Sequence, residues 1–210
     1  MKKIIFIALI AAGFWHWKNN GFNQTSTPLD SNGKPTVLVF TFPDCGTPCN
    51  NTITALKRRD VPFNEIIVNP NEPDHENYKQ WQTYKERSFP LILAGSSKVT
   101  DDSTSNLVEL LAVNFNDQYL TADEANYYKR HFDSSGKAKI VLYGTDWCPG
   151  CAALRKEMRE ENIDFVDIDV EKVADSQKML STMEIGGYPA VWVGYSRVNG
   201  VTLDAVKKEL

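Results

Sequence analysis

The sequence has little that would hold a metal or attract a nucleic acid. It contains four cysteines and three histidines, and His16, His75 and His131 cluster with neither cysteine pair. A zinc site on one Cys-x-x-C pair needs a second pair or histidines nearby. The formal net charge of -4 lacks the basic excess typical of nucleic-acid binders. The composition therefore predicts a globular protein with no metal, no cofactor and no nucleic-acid partner.

The N-terminus contains the longest apolar run of the chain. Residues 1–18 combine a basic start, this run, and the tryptophans Trp15 and Trp17, a pattern typical of a secretory signal or signal-anchor segment. We expect an exported protein, tethered through residues 4–17 on the periplasmic side of the inner membrane or in an equivalent extracytoplasmic compartment. A buried or disordered N-terminus of a cytosolic protein is the alternative. Residues 19–35 are polar and predict a disordered tether.

Two cysteines lie where a predicted strand meets a predicted helix. The apolar residues 140–143 indicate a buried strand, and residues 152–162 have a helical pattern. Pro149 suits the first helical position, which puts Cys148 at the helix N-terminus and Cys151 one turn inside. Unpaired N–H groups and the helix dipole favour a thiolate there, so Cys148 is the predicted nucleophile and Cys151 the resolving thiol. A metal site or a purely structural disulfide remains the alternative.

An internal repeat brings a second cysteine pair into the prediction. Residues 37–40 match residues 140–143, and Cys45 follows its strand at the same distance as Cys148 follows its own. The first pair has one residue more between its cysteines, so Cys49 is the counterpart of Cys151. Because the added residue re-aims one sulfur, the first pair is open to either a redox or a structural role.

Each half also has an aromatic residue followed by a proline at the start of a predicted strand. These dipeptides are Phe89-Pro90 in the first half and Tyr188-Pro189 in the second. A proline is tolerated at the first residue of a strand.

The order of strand, Cys-x-x-C helix, strand, helix and strand-opening proline resembles the thioredoxin/glutaredoxin superfamily. Trp147 before the first cysteine of this pair resembles the thioredoxin sequence, and Pro149 after it resembles the glutaredoxin sequence. By this resemblance both are predicted substrate-binding residues. The resemblance implies an α/β fold with two tandem thioredoxin-fold domains. It also implies that Pro189 is cis and that the backbone of Tyr188 pairs with substrate beside Cys148. Phe89 and Pro90 are the equivalent substrate-binding residues of the first half.

We predict a divergent first domain over residues 36–116, a linker helix within 117–136 and a glutaredoxin-like domain over 137–210. The Gly-Gly-x-Asp sequence that grips glutathione in glutaredoxins is replaced by residues 198–204, which puts glutathione binding in doubt.

The predicted function is thiol–disulfide exchange with protein substrates through Cys148 and Cys151, with Cys45 and Cys49 as candidates to assist. The alternative is a non-enzymatic client-binding or assembly module whose disulfides are structural. Reactivity of Cys148 distinguishes the two functions, because only an enzyme needs an accessible thiolate there.

Overall fold

The computed structural model describes residues 36–210 and contains two α/β units, each built on a four-stranded mixed sheet. The predicted export segment, residues 1–18, and the predicted tether, residues 19–35, lie outside the described residues. Within residues 36–210, no helix has the length and apolar character needed to cross a membrane.

The first unit has the strand order β2-β1-β3-β4. Its elements are β1 (Val37–Thr41), α1 (Thr47–Arg58), β2 (Phe63–Ile67), α2 (Glu76–Thr83), β3 (Leu91–Ala94), β4 (Ser97–Val99) and α3 (Thr104–Phe115). The central strand β1 runs parallel to β2 and antiparallel to β3. Alternate β1 residues enter different core clusters, Val37 and Val39 in one, Leu38 and Phe40 in the other. This alternation explains why residues 37–40 of β1 are all apolar.

The second unit repeats this topology, with the strand order β6-β5-β7-β8. Its elements are β5 (Ile140–Gly144), α5 (Pro149–Glu160), β6 (Phe165–Asp169), α6 (Ser176–Thr182), β7 (Ala190–Val193), β8 (Ser196–Arg197) and α7 (Leu203–Lys207). The predicted fold class, two tandem thioredoxin folds, is confirmed. The predicted strands 37–40 and 140–143 each extend one residue further, to Thr41 and Gly144. The exact domain boundaries remain a prediction.

The linker contains the predicted helix, α4 (Ala122–Tyr128), which a short 3-10 helix, Lys129–His131, follows. Thr121 and Glu124 form a capping box at its start. Tyr127 and Tyr128 are buried in the core of the second unit. The linker is thus part of the second core.

Helix α3 belongs to the cores of both units. Leu107, Leu110 and Leu111 lie in the core of the first unit, while Val108 lies in the cluster that contains Tyr128 of the second. A helix that buries opposite faces in two cores must be apolar almost all round. The two units therefore share one continuous packed interior through α3.

A buried ion pair also joins the first unit to the linker. Arg59, at the end of α1, donates Nε and Nη2 hydrogen bonds to the carboxylate of Glu124, and both side chains are buried. Arg59 Nη1 also donates to the carbonyl of Ala55 at 2.8 Å, and Glu124 Oε2 accepts from the Thr121 N–H at 2.8 Å. Each charge thus has its partner and additional hydrogen bonds, which a buried pair requires.

Replacing one member of this pair should destabilise the protein strongly. Glu124→Ala leaves the Arg59 charge buried without a partner, so we expect a loss of about 3–5 kcal/mol of unfolding free energy. Chemical denaturation measures it. The control is Glu160→Ala, which removes the exposed pair with Lys156 and should cost less than about 1 kcal/mol. Similar losses in both variants would contradict this account of the ion pair.

His131, which was predicted to lie near neither cysteine pair, is fully buried in the second unit. Its Nδ1 lies 2.7 Å from the carbonyl of Gly194, and its Nε2 lies 2.7 Å from the hydroxyl of Tyr143. Since a carbonyl only accepts, Nδ1 carries the proton and Nε2 accepts from Tyr143. Burial lowers the pKa of His131 to about 4, so the ring is neutral at pH 7.

This histidine should make the fold sensitive to mild acid. The unfolded chain protonates His131 below about pH 6.5, whereas the folded chain resists protonation until about pH 4. The neutral ring therefore contributes fully to the free energy of unfolding above pH 6.5. This contribution is lost as the pH falls towards 4, by about 3 kcal/mol in total. Denaturation curves between pH 7 and 4 test this. His131→Gln should show a shallower loss over that interval, and an identical slope would contradict the assignment.

Candidate active site

The second cysteine pair lies at the junction of β5 and α5. Cys148 is the N-cap residue of α5 and Pro149 is its first residue, as predicted. The backbone N–H of Cys151 donates to Cys148 Sγ at 3.1 Å, and the two cysteines form a disulfide. Cys148 is 6% exposed and Cys151 is fully buried. An incoming sulfur therefore has access to Cys148 only.

Two glycines let other backbone segments approach this turn. A Cβ at Gly144, the last residue of β5, would lie 2.7 Å from Cys151 Sγ, so only glycine fits there. A Cβ at Gly150 would lie 3.3 Å from the Pro189 ring. Pro189 is thus directly beside the cysteine turn. The Tyr188–Pro189 peptide bond is cis, as predicted, and so is its counterpart Phe89–Pro90.

The surface around Cys148 is polar, with one large exposed ring. Trp147 is 66% exposed, and its indole N–H donates to Glu171 at 3.0 Å. Its ring meets that of Tyr188 edge-on, with the centroids 6.3 Å apart. Lys172 donates to Asp146 at 2.8 Å, and this bond is the main cause that raises the pKa of the Lys172 ammonium group.

Arg155 stabilises the cysteine turn of the second unit through hydrogen bonds. It lies one helical turn after Cys151, and its Nε donates to both carboxylate oxygens of Asp167 on β6, at 3.0 and 2.8 Å. Its Nη1 donates to the carbonyl of Thr145 at 3.1 Å, in the loop that precedes Cys148. One largely buried side chain therefore fixes the helix, the neighbouring strand and the loop relative to one another.

The first cysteine pair has a different relation to its helix. Helix α1 begins at Thr47, and its N-cap is Gly46, with φ of 67° and no side-chain hydrogen bond. Gly46 thus absorbs the added residue, because glycine adopts positive φ readily. Cys45 lies one residue before the cap. It is bonded to Cys49, is only half-buried, and caps no helical N–H.

Aromatic rings pack beside the cysteine turn of the first unit, whereas the surface around the cysteine turn of the second unit is polar. Phe42, just before Cys45, packs on Phe89 with ring centroids 5.1 Å apart, and Trp81 stacks on Phe89 at 4.8 Å. All three rings are half-buried. The two turns therefore present different surfaces to a partner.

In the part of the chain that the structure describes, no group of three or more histidine, cysteine or acidic side chains could hold a metal ion. The sulfurs of each pair are instead bonded to one another.

Sequence reasoning missed the supporting residues Gly144 and Arg155, and it missed Glu184 altogether. Glu184 precedes the Tyr188–Pro189 loop and contacts the start of α3 in the other unit. The sequence did contain a signal for Glu184. The internal repeat aligns it with Lys85, so the two halves carry opposite charges at this equivalent position.

With this geometry in view, two sequence comparisons define the class of protein. The glutaredoxin family model matches residues 140–198. An uncharacterized glutaredoxin-like 8.6 kDa protein in the rubredoxin operon of Clostridium pasteurianum is 32% identical over 53 residues, which are 25% of this chain and 71% of that protein. The chain therefore belongs to the thioredoxin/glutaredoxin superfamily, through its glutaredoxin-like second half.

Solved structures with similar folds include the thioredoxin-like protein BC3987 and a poplar glutaredoxin. BC3987 is 23% identical, with a TM-score of 0.31 over 34% of this chain and all of that protein. The holo form of glutaredoxin C1 from Populus tremula x tremuloides is 17% identical, with a TM-score of 0.33 over 42% of this chain and 86% of that protein.

The different positions of Cys148 and Cys45 should give them different reactivities. In the reduced variants Cys151→Ser and Cys49→Ser, only Cys148 receives a helix N–H, which favours its thiolate. We expect its alkylation by iodoacetamide to reach half-maximal rate at a lower pH than that of Cys45, and its reactivity at pH 7 to gain about two- to fivefold from the helix terminus. The pH midpoint is the decisive measurement, because it reports the thiol pKa and not the steric access that limits the maximal rate. Equal midpoints, or a lower one for Cys45, would contradict this assignment.

Proposed function

We propose that the protein is a thiol–disulfide oxidoreductase that acts on protein substrates through Cys148 and Cys151. The observation that carries the proposal is the N-cap geometry of Cys148. Its sulfur accepts the Cys151 N–H and keeps residual exposure, while Cys151 is fully buried. This arrangement suits an attacking and a resolving thiol, and membership of the superfamily supports redox function in general.

The proposed reaction consists of two exchanges. The Cys148 thiolate attacks one sulfur of a partner disulfide, which forms a mixed disulfide and releases the other partner sulfur as a thiolate. Cys151 then loses its proton to that leaving group and attacks Cys148 Sγ. This attack releases the second partner sulfur as a thiolate, which takes up from water a proton equivalent to the one that Cys148 had lost. The partner leaves as a dithiol, reduced by two electrons, and Cys148 and Cys151 are left as a disulfide. The reverse sequence oxidises a partner, and relative reduction potentials set the direction.

Trp147, Tyr188 and Pro189 form the proposed docking surface around Cys148, with Pro149 shaping the turn. Trp147 is the largest exposed ring there, and aromatic rings bind polypeptide at little cost in conformational entropy. For the cellular location we propose an extracytoplasmic compartment, on the strength of the sequence of residues 1–18 alone.

A second function, client binding, is favoured at the first turn. The half-buried rings of Phe42, Trp81 and Phe89 beside Cys45 suit an apolar polypeptide segment better than the polar surroundings of Cys148 do. In this view Phe89 and Pro90 contact the client, and Cys45 and Cys49 either staple the turn or assist exchange.

Cysteine variants of the full-length protein test the proposal. Cys151→Ser should accumulate mixed disulfides with partners, because the resolving step is lost, and Cys148→Ser should form none. Reduction of a disulfide-containing peptide should fall to background in Cys148→Ser.

The matched control is the Cys45→Ser, Cys49→Ser double variant, which should keep most of this activity. Equal losses in both variants would refute the inequality of the two sites. Undiminished exchange in Cys148→Ser would refute the proposal and assign the activity to Cys45 and Cys49, whereas a wild type without exchange would leave the client-binding function.

A further inference from the structure

Glu184 of the second unit contacts the N-terminus of α3 in the first unit. Its Oε2 accepts hydrogen bonds from the backbone N–H groups of Thr104, at 3.0 Å, and Ser105, at 3.4 Å. The Ser103 hydroxyl donates to the same oxygen at 3.4 Å. The first N–H groups of a helix have no partner within it and carry the positive end of its dipole. A carboxylate satisfies both requirements at once.

The backbone of Glu184 is fixed as well. It lies two residues after the end of α6 with φ of 52°, and its carbonyl accepts a hydrogen bond from Arg197 Nη1 at 3.0 Å. The Arg197 guanidinium in turn lies over the ring of Trp192, 4.9 Å from its centre. The side chain of Glu184 is thus held by the first unit and its backbone by the second.

Glu184 begins the loop that leads to Tyr188 and Pro189. Ile185 is buried, but Gly186 and Gly187 are exposed, and a Cβ at either would meet nothing within 4 Å. Two such glycines leave the backbone many conformations. The position of the loop therefore depends on its ends, of which one is Glu184 and the other is Pro189 beside Gly150.

We propose that Glu184 is a positioning residue through which the first unit holds the substrate-binding loop of the second. This inference rests on the proposed function, since Tyr188 is where a partner's backbone would pair. It gives the first unit a part in substrate binding at Cys148 that requires neither Cys45 nor Cys49.

The residues that line a neighbouring cavity are consistent with this role of Glu184. A cavity of about 460 Å³ lies between the two units, lined by Ser103 and Asn106 of the first and by Pro189 and Arg197 of the second, among others. The start of α3 therefore forms one side of the space next to Pro189. Releasing Glu184 would free the loop and with it the Pro189 side of this cavity.

The repeat supplies a matched control. Lys85 occupies the position equivalent to Glu184, the same distance ahead of Phe89–Pro90, and has nearly the same φ, 56°. Lys85 is exposed, and within residues 36–210 its side chain makes no hydrogen bond or ion pair. Truncation at Lys85 thus repeats the chemical change at the same backbone position without a contact between the units.

Steady-state kinetics of the full-length variants Glu184→Ala, Glu184→Gln and Lys85→Ala test the inference. For a protein disulfide substrate, Glu184→Ala should raise KM about three- to tenfold with kcat little changed. Glu184→Gln should have a smaller effect, because its amide oxygen still accepts the N–H groups, and Lys85→Ala should have none. With 5,5′-dithiobis(2-nitrobenzoic acid), which has no backbone to pair with the loop, all three variants should match the wild type.

Amide hydrogen exchange of the oxidised protein gives a test that does not depend on activity. Ile185, whose backbone N–H donates to the Leu180 carbonyl at 2.8 Å, should exchange faster in Glu184→Ala than in the wild type or in Lys85→Ala. Unchanged exchange, an unchanged KM, or an equal loss on the small disulfide would overturn the inference. A wild-type protein without disulfide exchange would refute the proposed function instead, and amide exchange alone would then decide the role of Glu184.

Discussion

The unpaired N–H groups at helix N-termini are the constraint on which this molecule depends most. At α5 a cysteine sulfur satisfies one of them, and this is what distinguishes Cys148. At α1 the cap is Gly46, which offers no side chain, so Cys45 lies outside the helix. At α3 a glutamate from the other unit, Glu184, meets the same requirement. The sulfur of Cys148 and the carboxylate of Glu184 therefore do the same thing at two helices. Each accepts hydrogen bonds from N–H groups that have no partner within the helix.

Much of the fold follows from short-range patterns in the sequence. The apolar strands β1 and β5, the helices after the cysteines and the strand-opening prolines were predictable because each depends on periodicity or on the chemistry of one residue. The repeat then extended one recognised unit to the whole described chain. The cap at Cys148 was predictable for the same reason, since the position of Pro149 alone sets the first turn of α5.

The contacts between the units were not predictable in this way. Glu124 was visible as part of a capping box, but nothing local indicates that its carboxylate also pairs with Arg59, far away in the sequence. Arg155 likewise looks like an ordinary polar position of an amphipathic helix. Only the folded chain brings it against Asp167 and the carbonyl of Thr145. Such partners are set by tertiary packing, which periodicity does not encode.

The shared helix explains how two equal folds can carry unequal sites. Because α3 buries Leu111 in one core and Val108 in the other, neither unit can move without exposing apolar surface. A fixed interface lets a residue of one unit support a loop of the other, and the charge reversal between Lys85 and Glu184 provides this support to one loop only. The cysteine turn of the first unit can therefore differ from that of the second, with one added residue and aromatic neighbours. The first unit still supports the loop of the second unit.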